Sequence, residues 1–321
     1  MKKFIGLIVL FSTVSAVASF AQFTQIEGDF SKLMLLLGRE VTPELQQNDL
    51  AGTGIGAASL KGKHFYVALT TGAVLSKGIL KFVDSSNSNF TALNVYKLVN
   101  DMVPSSGIAR DLYDQSKTLF PYPTVKLALG ARLFNFDFIL TGIGVPTGLI
   151  ATDTVKANLL NLGLRVRRDL IEESGAFPTI SGGLGVVYSG LHFDYNLQNF
   201  TQSYSGQNLV INGSLGLDTQ VVSYGFDLGI SKTLLIFTPF LRGSLWHESA
   251  SYKNSGNLTA VLGTGTPQTL KPQAEVTVDD WAILASAGVD FNLALFQLCT
   301  TGTYNFNTGS WGAELSARFG F

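Results

Sequence analysis

The stretch Ser310-Trp311-Gly312-Ala313-Glu314-Leu315-Ser316-Ala317-Arg318-Phe319-Gly320-Phe321 decides the fold. Its odd positions are all apolar: Trp311, Ala313, Leu315, Ala317, Phe319 and Phe321. Its even positions, Ser310, Gly312, Glu314, Ser316, Arg318 and Gly320, are small, polar or charged. A strand throws successive side chains to opposite faces, so this segment has one greasy face and one wet face.

The same pattern runs upstream. Trp281–Leu293 sets Trp281, Ile283, Ala285, Ala287, Val289 and Phe291 against Ser286, Gly288, Asp290 and Asn292. Phe296–Phe306, Val221–Ser231, Thr124–Leu133, Asn158–Asp169 and His64–Leu75 alternate in the same way. Runs of about 10 residues match a tilted strand crossing a bilayer. Around Ser189-Gly190 the apolar positions switch from even (Leu184, Val186, Tyr188) to odd (Leu191, Phe193, Tyr195), which predicts a bulge there. Phe136–Val145 is apolar on both faces, and Thr53–Leu60 and Gly78–Val83 are weak strand candidates. Connections alternate between short (near Asn135-Phe136, Glu172–Ala176, Lys232-Thr233 and Leu293–Leu295) and long (Asp84–Leu119, Asn196–Thr219 and Tyr252–Asp280). That rhythm fits short turns on one side of a membrane and long loops on the other, with about 12 strands expected and 10 or 14 also compatible.

Composition points the same way. Charged residues make up 14% of the chain and hydrophobic ones 46%, against about 25% charged in a soluble domain. No run of about 18 apolar residues follows the N-terminal segment, so spanning helices do not account for the excess. A closed barrel does, because every backbone group pairs and no sheet edge meets lipid. The formal net charge of −1 falls to −3 if Lys2 and Lys3 leave with a leader, which gives no case for a nucleic-acid partner. A lone cysteine, Cys299, excludes an internal disulfide.

The strict alternation and aromatic end of the last strand resemble the closing strand of bacterial outer-membrane β-barrels. That resemblance implies an all-β, antiparallel up-and-down transmembrane barrel of Gram-negative type, with outer-membrane lipid around it. It also implies that the barrel-assembly machinery reads the strand ending at Phe321. A helix before the barrel and a long first loop resemble the fatty-acid and hydrophobic-solute transporter family, and equally an uncharacterised spirochaete or Bacteroidetes barrel family.

The N-terminus reads as a secretory leader. Lys2 and Lys3 precede the apolar run Phe4–Phe11, and Ala16-Val17-Ala18 and Ser19-Phe20-Ala21 both fit small-x-small cleavage sites. The expected organisation is a signal peptide over 1–21, a helical segment over 22–50 and a barrel over 51–321. Within Asp29–Gln47, Phe30, Leu33, Met34 and Leu37 share one helical face, and Pro43 is expected to break or restart the helix. Two placements are open for it, a periplasmic tether or a plug inside the lumen. Asn94–Val99 is a second helical candidate.

Chemistry-bearing constellations are sparse. His64, His192 and His247 lie far from one another and from Cys299, so no metal-ligand spacing and no cofactor motif appears. His192 and Asp194 share a strand face and read as a hydrogen-bonded pair. His247 and Ser249 have the two-residue spacing of outer-membrane lipases, but their face continues Leu235, Phe237, Leu241 and Leu245, which puts His247 at the lipid rim. No enzyme activity is expected. Trp246, Trp281 and Trp311 are expected in interfacial girdles. The functional signal is the polar face, which carries Lys126, Arg132, Arg165, Arg167, Asp227, Arg242, Asp290, Glu314 and Arg318. Lipid penalises a charge by about 2–4 kcal/mol at the midplane, so these residues are expected to line the interior. They fit either a paired network that stiffens a narrow barrel or the lining of a channel for small solutes, hydrophobic ones included. The channel is the function expected; a structural or adhesive barrel is the alternative.

Overall fold

In the computed structural model, which describes residues 2–51, 57–60, 64–76, 90–95, 98, 120–145, 155–293 and 296–320, one antiparallel sheet closes on itself. Its strands are β1 (Phe65–Ser76), β2 (Phe120–Leu133), β3 (Phe136–Val145), β4 (Val155–Ile171), β5 (Thr179–Tyr204), β6 (Gln207–Ser231), β7 (Phe237–Leu262), β8 (Gln268–Leu270), β9 (Gln273–Leu293), β10 (Phe296–Asn305) and β11 (Trp311–Gly320). Apart from the short β8, which β9 bypasses to pair with β7, each strand pairs with its sequence neighbour, and β11 closes the ring against β1 from Tyr66↔Gly320 to Leu75↔Trp311. The three-residue β8 pairs only with β7, in line with β9, so among the described residues ten strands form the ring, within the range expected from sequence. Of the two weak candidates, 57–60 is not strand, while 53–56 and Gly78–Val83 lie outside the described residues, as does Phe321.

The apolar faces point outward as read. Val67 and Leu69, Val125 to Leu129, Phe138 and Leu140, Leu160 to Leu164, Phe226 and Leu228, and Leu315 and Phe319 form an exposed belt around the barrel. In the ambiguous β3, Phe138 and Leu140 face out while Asp137 and Ile139 face in. Trp281 and Trp311 sit on the outer surface, but Trp246 is fully buried inside the barrel, against the expectation of a girdle position.

Two expected long loops are strands. Asn196–Thr219 and Tyr252–Asp280 mostly continue β5–β6 and β7–β9, and the first turns at Ser205-Gly206, both with positive φ (51° and 75°). That is the two-residue hairpin geometry that follows strand twist. At about 3.3 Å per residue, the 26-residue β5 and β7 run to ~85 Å, far beyond the ~25 Å apolar band of a membrane barrel. One side of the barrel wall therefore stands well clear of the belt.

The expected bulge at Ser189-Gly190 is absent. β4–β5 pairing runs unbroken through Asn161↔Ser189 and Leu160↔Gly190, and the irregularities lie between Asp169 and Ile171 and between Leu197 and Phe200. The apolar set changes face because the surroundings change. Above Gly190 the inner face of β5 meets an apolar object in the lumen, through Phe193, Tyr195 and Leu197.

That object is the helix α1 (Lys2–Leu50). Its contacts march down β6. Ile26, Phe30, Leu33 and Met34 share a core with Leu209, Ile211, Leu215 and Leu217. Thr42 bonds Thr219 at 3.2 Å, the Ser223 hydroxyl donates to Gln46 at 3.2 Å, and, beyond the helix end, the Ala58 amide donates to Ser231 at 3.0 Å. The helix thus runs parallel to β6, from the extended hairpin end to the short-turn end where β1 begins. Of the two placements open from sequence, the segment from Ile26 to Leu50 stands inside the lumen. Pro43 does not end the helix, although it removes one donor from its ladder. At the hairpin end a piece of the first loop folds inward: Phe90, Leu93, Val95 and Leu98 join the same core, and the Asp29 carboxylate accepts from the amides of Thr91, Ala92 and Leu93 at 2.6–2.9 Å. Val95 and Leu98 are helical; the rest of that candidate, apart from Asn94, lies outside the described residues.

The wall is tightly packed around Trp246. A Cβ on Gly225 would lie 2.3 Å from the Leu245 carbonyl oxygen, a backbone atom that cannot rotate away. Gly225→Ala is expected to destabilise the barrel by about 1–3 kcal/mol, as overpacked cores do. Comparing the temperatures at which folded and unfolded forms interconvert on semi-native gels measures this, and an unchanged transition would contradict the packing.

Candidate functional site

All nine charges singled out on the polar face point into the barrel, in its short-turn half: Lys126 and Arg132 on β2, Arg165 and Arg167 on β4, Asp227 on β6, Arg242 on β7, Asp290 on β9, Glu314 and Arg318 on β11. Eight are buried outright, and the Arg132 side chain is 13% exposed. They do not surround open water. Lys126 bridges Glu314 (2.9 Å) and Asp49 of α1 (3.4 Å). Arg165 and Arg242 flank Asp227 at 3.3 and 3.6 Å, and Arg318 pairs with Asp290. Arg132 and Arg167 converge on Asp137 at 3.1 Å each, and Arg132 also takes Asp169 at 2.6 Å.

Sequence reading missed Asp137, Asp169 and Asp49. Asp137 was masked by the apolar run of β3, yet it sits across the ladders from Arg132 and Arg167, where a lone acid in an apolar strand is a usable signal. Trp246 was missed as an interior residue; the Arg165 guanidinium lies 5.1 Å from its ring.

The network's second task is to hold the chain that fills the lumen. Arg165 donates to the carbonyls of Asp49 and Leu50 at 3.0 Å, and Arg242 reaches Ala51 at 3.4 Å. These are the last turn of α1, where carbonyls lack helical partners and the macrodipole is negative, so cations are favoured. The segment 57–60 is fixed likewise: the Ala57 amide donates to Asp290 (2.7 Å), Arg167 donates to the Ala57 carbonyl (2.9 Å), and the Leu60 amide donates to Asp137 (3.1 Å). Leu50 and Ala51 pack with Val187, Trp246, Ala282 and Leu284. The lumen thus has two storeys, an ionic one at the helix C-terminus and an apolar one along its upper turns.

The other candidates lie outside this interior. His247 and Ser249 face outward, and the imidazole stacks between Tyr224 (5.1 Å) and Trp281 (5.0 Å), an interfacial cluster rather than a nucleophile and its base. His192 sits on the outer surface of the extended wall, beyond the apolar belt, with Asp218 at 2.5 Å and Asp194 at 3.1 Å. The hydrogen bond to Asp218, aided by the charge of Asp194, lifts its pKa above the ordinary value. Among the described residues no group of His, Cys, Asp and Glu could hold a metal ion.

No protein-family model matches this chain, and no curated protein does. Among solved structures, the translocator domain of the autotransporter NalP from Neisseria meningitidis is similar over 86% of this chain and 95% of that one, at 10% identity and TM-score 0.39. A Pseudomonas aeruginosa FadL homologue covers 87% of this chain and 95% of its own, at 9% identity and TM-score 0.29. The Pseudomonas putida toluene transporter TodX covers 84% and 92%, at 10% identity and TM-score 0.25. These neighbours are outer-membrane β-barrels, and the likeness is one of architecture, on which no argument about activity rests.

Removing Arg165 strips Asp227 of one of its two cations and the helix end of its donor. Arg165→Met is expected to destabilise the barrel by about 3–5 kcal/mol, as stranded buried charges do, and adding Asp227→Asn is expected to recover part of that loss. Thermal unfolding in detergent tests both; an additive double variant would show that the two side chains do not act as a pair. For His192, the protonated ring is the bound form. Its stabilisation is complete below the unfolded value of about 6.5 and fades as pH rises through the raised folded value. Protease protection of the β5–β6 extension is therefore expected to weaken from about pH 6.5 upward, and His192→Gln to flatten that dependence.

Proposed function

We propose that this chain is an outer-membrane channel for small solutes, held shut by its own N-terminal helix. The observation that supports this is the bonding of the plug: the cations that line the wall are spent on α1's last carbonyls and on 57–60. A barrel built only to be solid has a simpler interior, because replacing buried ion pairs by apolar side chains is often neutral or stabilising. A wall that must face water once the plug departs has reason to keep its charges. Above the ionic ring, departure of α1 would bare Leu209, Ile211, Leu215, Leu217 and Leu258, which suits solutes with an apolar part. In this reading residues 1–21 are a leader removed on export, the plug begins near residue 22 at the outer mouth, and β11 delivers the chain to the assembly machinery before sealing against β1. The extended β5–β7 wall favours a second reading, a barrel that displays a docking edge; loss of binding to envelope or host material on trimming Asn196–Thr219, with conductance unaltered, would support that one.

Planar-bilayer recording separates the readings. The full-length protein is expected to open rarely, and a variant lacking residues 22–48 to give large, steady current steps. A folded deletion variant, verified by its heat-modifiable gel shift, that passes no current would overturn the proposal.

A further inference from the structure

Among the described residues, a gap opens between plug and wall. A cavity of about 230 Å³ lies between Arg39, Pro43 and Gln46 of α1 and Glu248, Tyr252 and Asp280 of β7 and β9, with Val221, Ala250 and Val278 completing its lining. Glu248 and Asp280 are cross-strand partners facing the lumen, an arrangement that is unfavourable for two like charges. Lower in the barrel the buried carboxylates meet a cation, whereas among the described residues the partly buried Glu248, the exposed Asp280 and the exposed Arg39 across the gap have no ion-pair partner. Glu44 deepens the negative field at Glu248. Gln46 is fully buried, and its Nε2 donor lacks a hydrogen-bond partner. Pro43 leaves the Arg39 carbonyl without its helical donor, on the side that lines the gap.

We infer that this cavity is a binding site for a small zwitterion of the α-amino acid class. Its ammonium sits between Glu248 and Asp280, its carboxylate meets Arg39 and the Gln46 amide, and an aliphatic side chain lies against Val221, Ala250 and Val278. An ammonium between the carboxylates removes their mutual repulsion, and a bidentate guanidinium suits a carboxylate. At roughly 30 Å³ per water, the space equals about eight waters, enough for one such molecule. Because half the site belongs to α1, occupancy would bias the plug's position. Naming this ligand as the permeating solute rests on the channel reading above; its binding does not, and it is measured without any current.

The test is calorimetric titration of the full-length protein in detergent with L-leucine, with 3-methylbutylamine and 4-methylpentanoic acid as half-ligands. L-leucine is expected to bind at least about tenfold more tightly than either half-ligand, and Glu248→Gln/Asp280→Asn and Arg39→Met are each expected to weaken it at least about tenfold while the barrel retains its unfolding temperature. Equal binding of leucine and the amine would overturn the zwitterion assignment in favour of a plain cation. No heat from leucine with a folded wild-type protein would overturn the site. If leucine binds but the plug-deleted barrel carries no current, the site survives and the channel reading falls.

Discussion

Burying charge without stranding it is the constraint from which the rest of this barrel follows. Moving a carboxylate or guanidinium out of water is penalised by several kcal/mol per ion, and only close partners recover it. In the short-turn half of the lumen, Lys126, Arg132, Arg165, Arg167, Arg242 and Arg318 are met by Asp49, Asp137, Asp169, Asp227, Asp290 and Glu314. Asp49 comes from the plug, and the carbonyls of Asp49, Leu50 and Ala51 supply further acceptors. The wall's electrostatics are therefore complete only with the helix in place, and the helix end is capped only by the wall. Each half leaves polar groups for the other to satisfy.

The same reciprocity shapes the upper storey through solvent rather than charge. Once α1 rises past Thr219, the inner faces of β5, β6 and β7 change from serine and charge to leucine, isoleucine and phenylalanine. A strand inside a water-filled barrel would keep its polar face inward throughout. Here the inward face turns apolar at the level where the apolar face of the helix passes, so the wall and the helix bury each other as two layers of a soluble core do. That accounts for strands far longer than a membrane needs: they are the outer half of a helix-on-sheet domain whose lower half happens to be a membrane barrel.

This also explains which features were legible in the sequence. Alternation reports which side of a strand meets lipid, so the final strand, the outward faces and the nine inward charges were readable from period alone. Strand number and length were not. The tract Asn196–Thr219 looked like a loop because its alternation no longer had lipid on one side, and Ser189-Gly190 looked like a bulge because an apolar run changed face. In both places the residue pattern answered to the helix, which is distant in sequence. Trp246 resembled a girdle residue by type, yet its neighbours Gly185 and Gly225 leave it room inside the wall. Pro43 looked like a terminator because propensity assumes a helix in water; held on all sides by a barrel, the helix tolerates one lost bond.

On the channel reading proposed above, how such a plug would leave follows from the dielectric. At about 4 Å a pair of unit charges attracts with roughly 4 kcal/mol at an effective constant of 20 but only about 1 kcal/mol in water. With the ring dry, each contact to Asp49, Asp227 or Asp290 reinforces the exclusion of water that keeps the others strong. Once water reaches the ring, every pair weakens together and the stranded ions are solvated rather than exposed to a void. The lumen then has two self-consistent arrangements, dry and clamped or wet and empty, with intermediate ones disfavoured because they leave charges half-solvated. The gap at Arg39, Pro43 and Glu248 lies between the apolar and ionic storeys, beside the point where the helix has already lost a hydrogen bond. On that reading, wetting that begins there would reach the clamp from above without first opening the apolar seal, and the gap would be the natural origin of the switch.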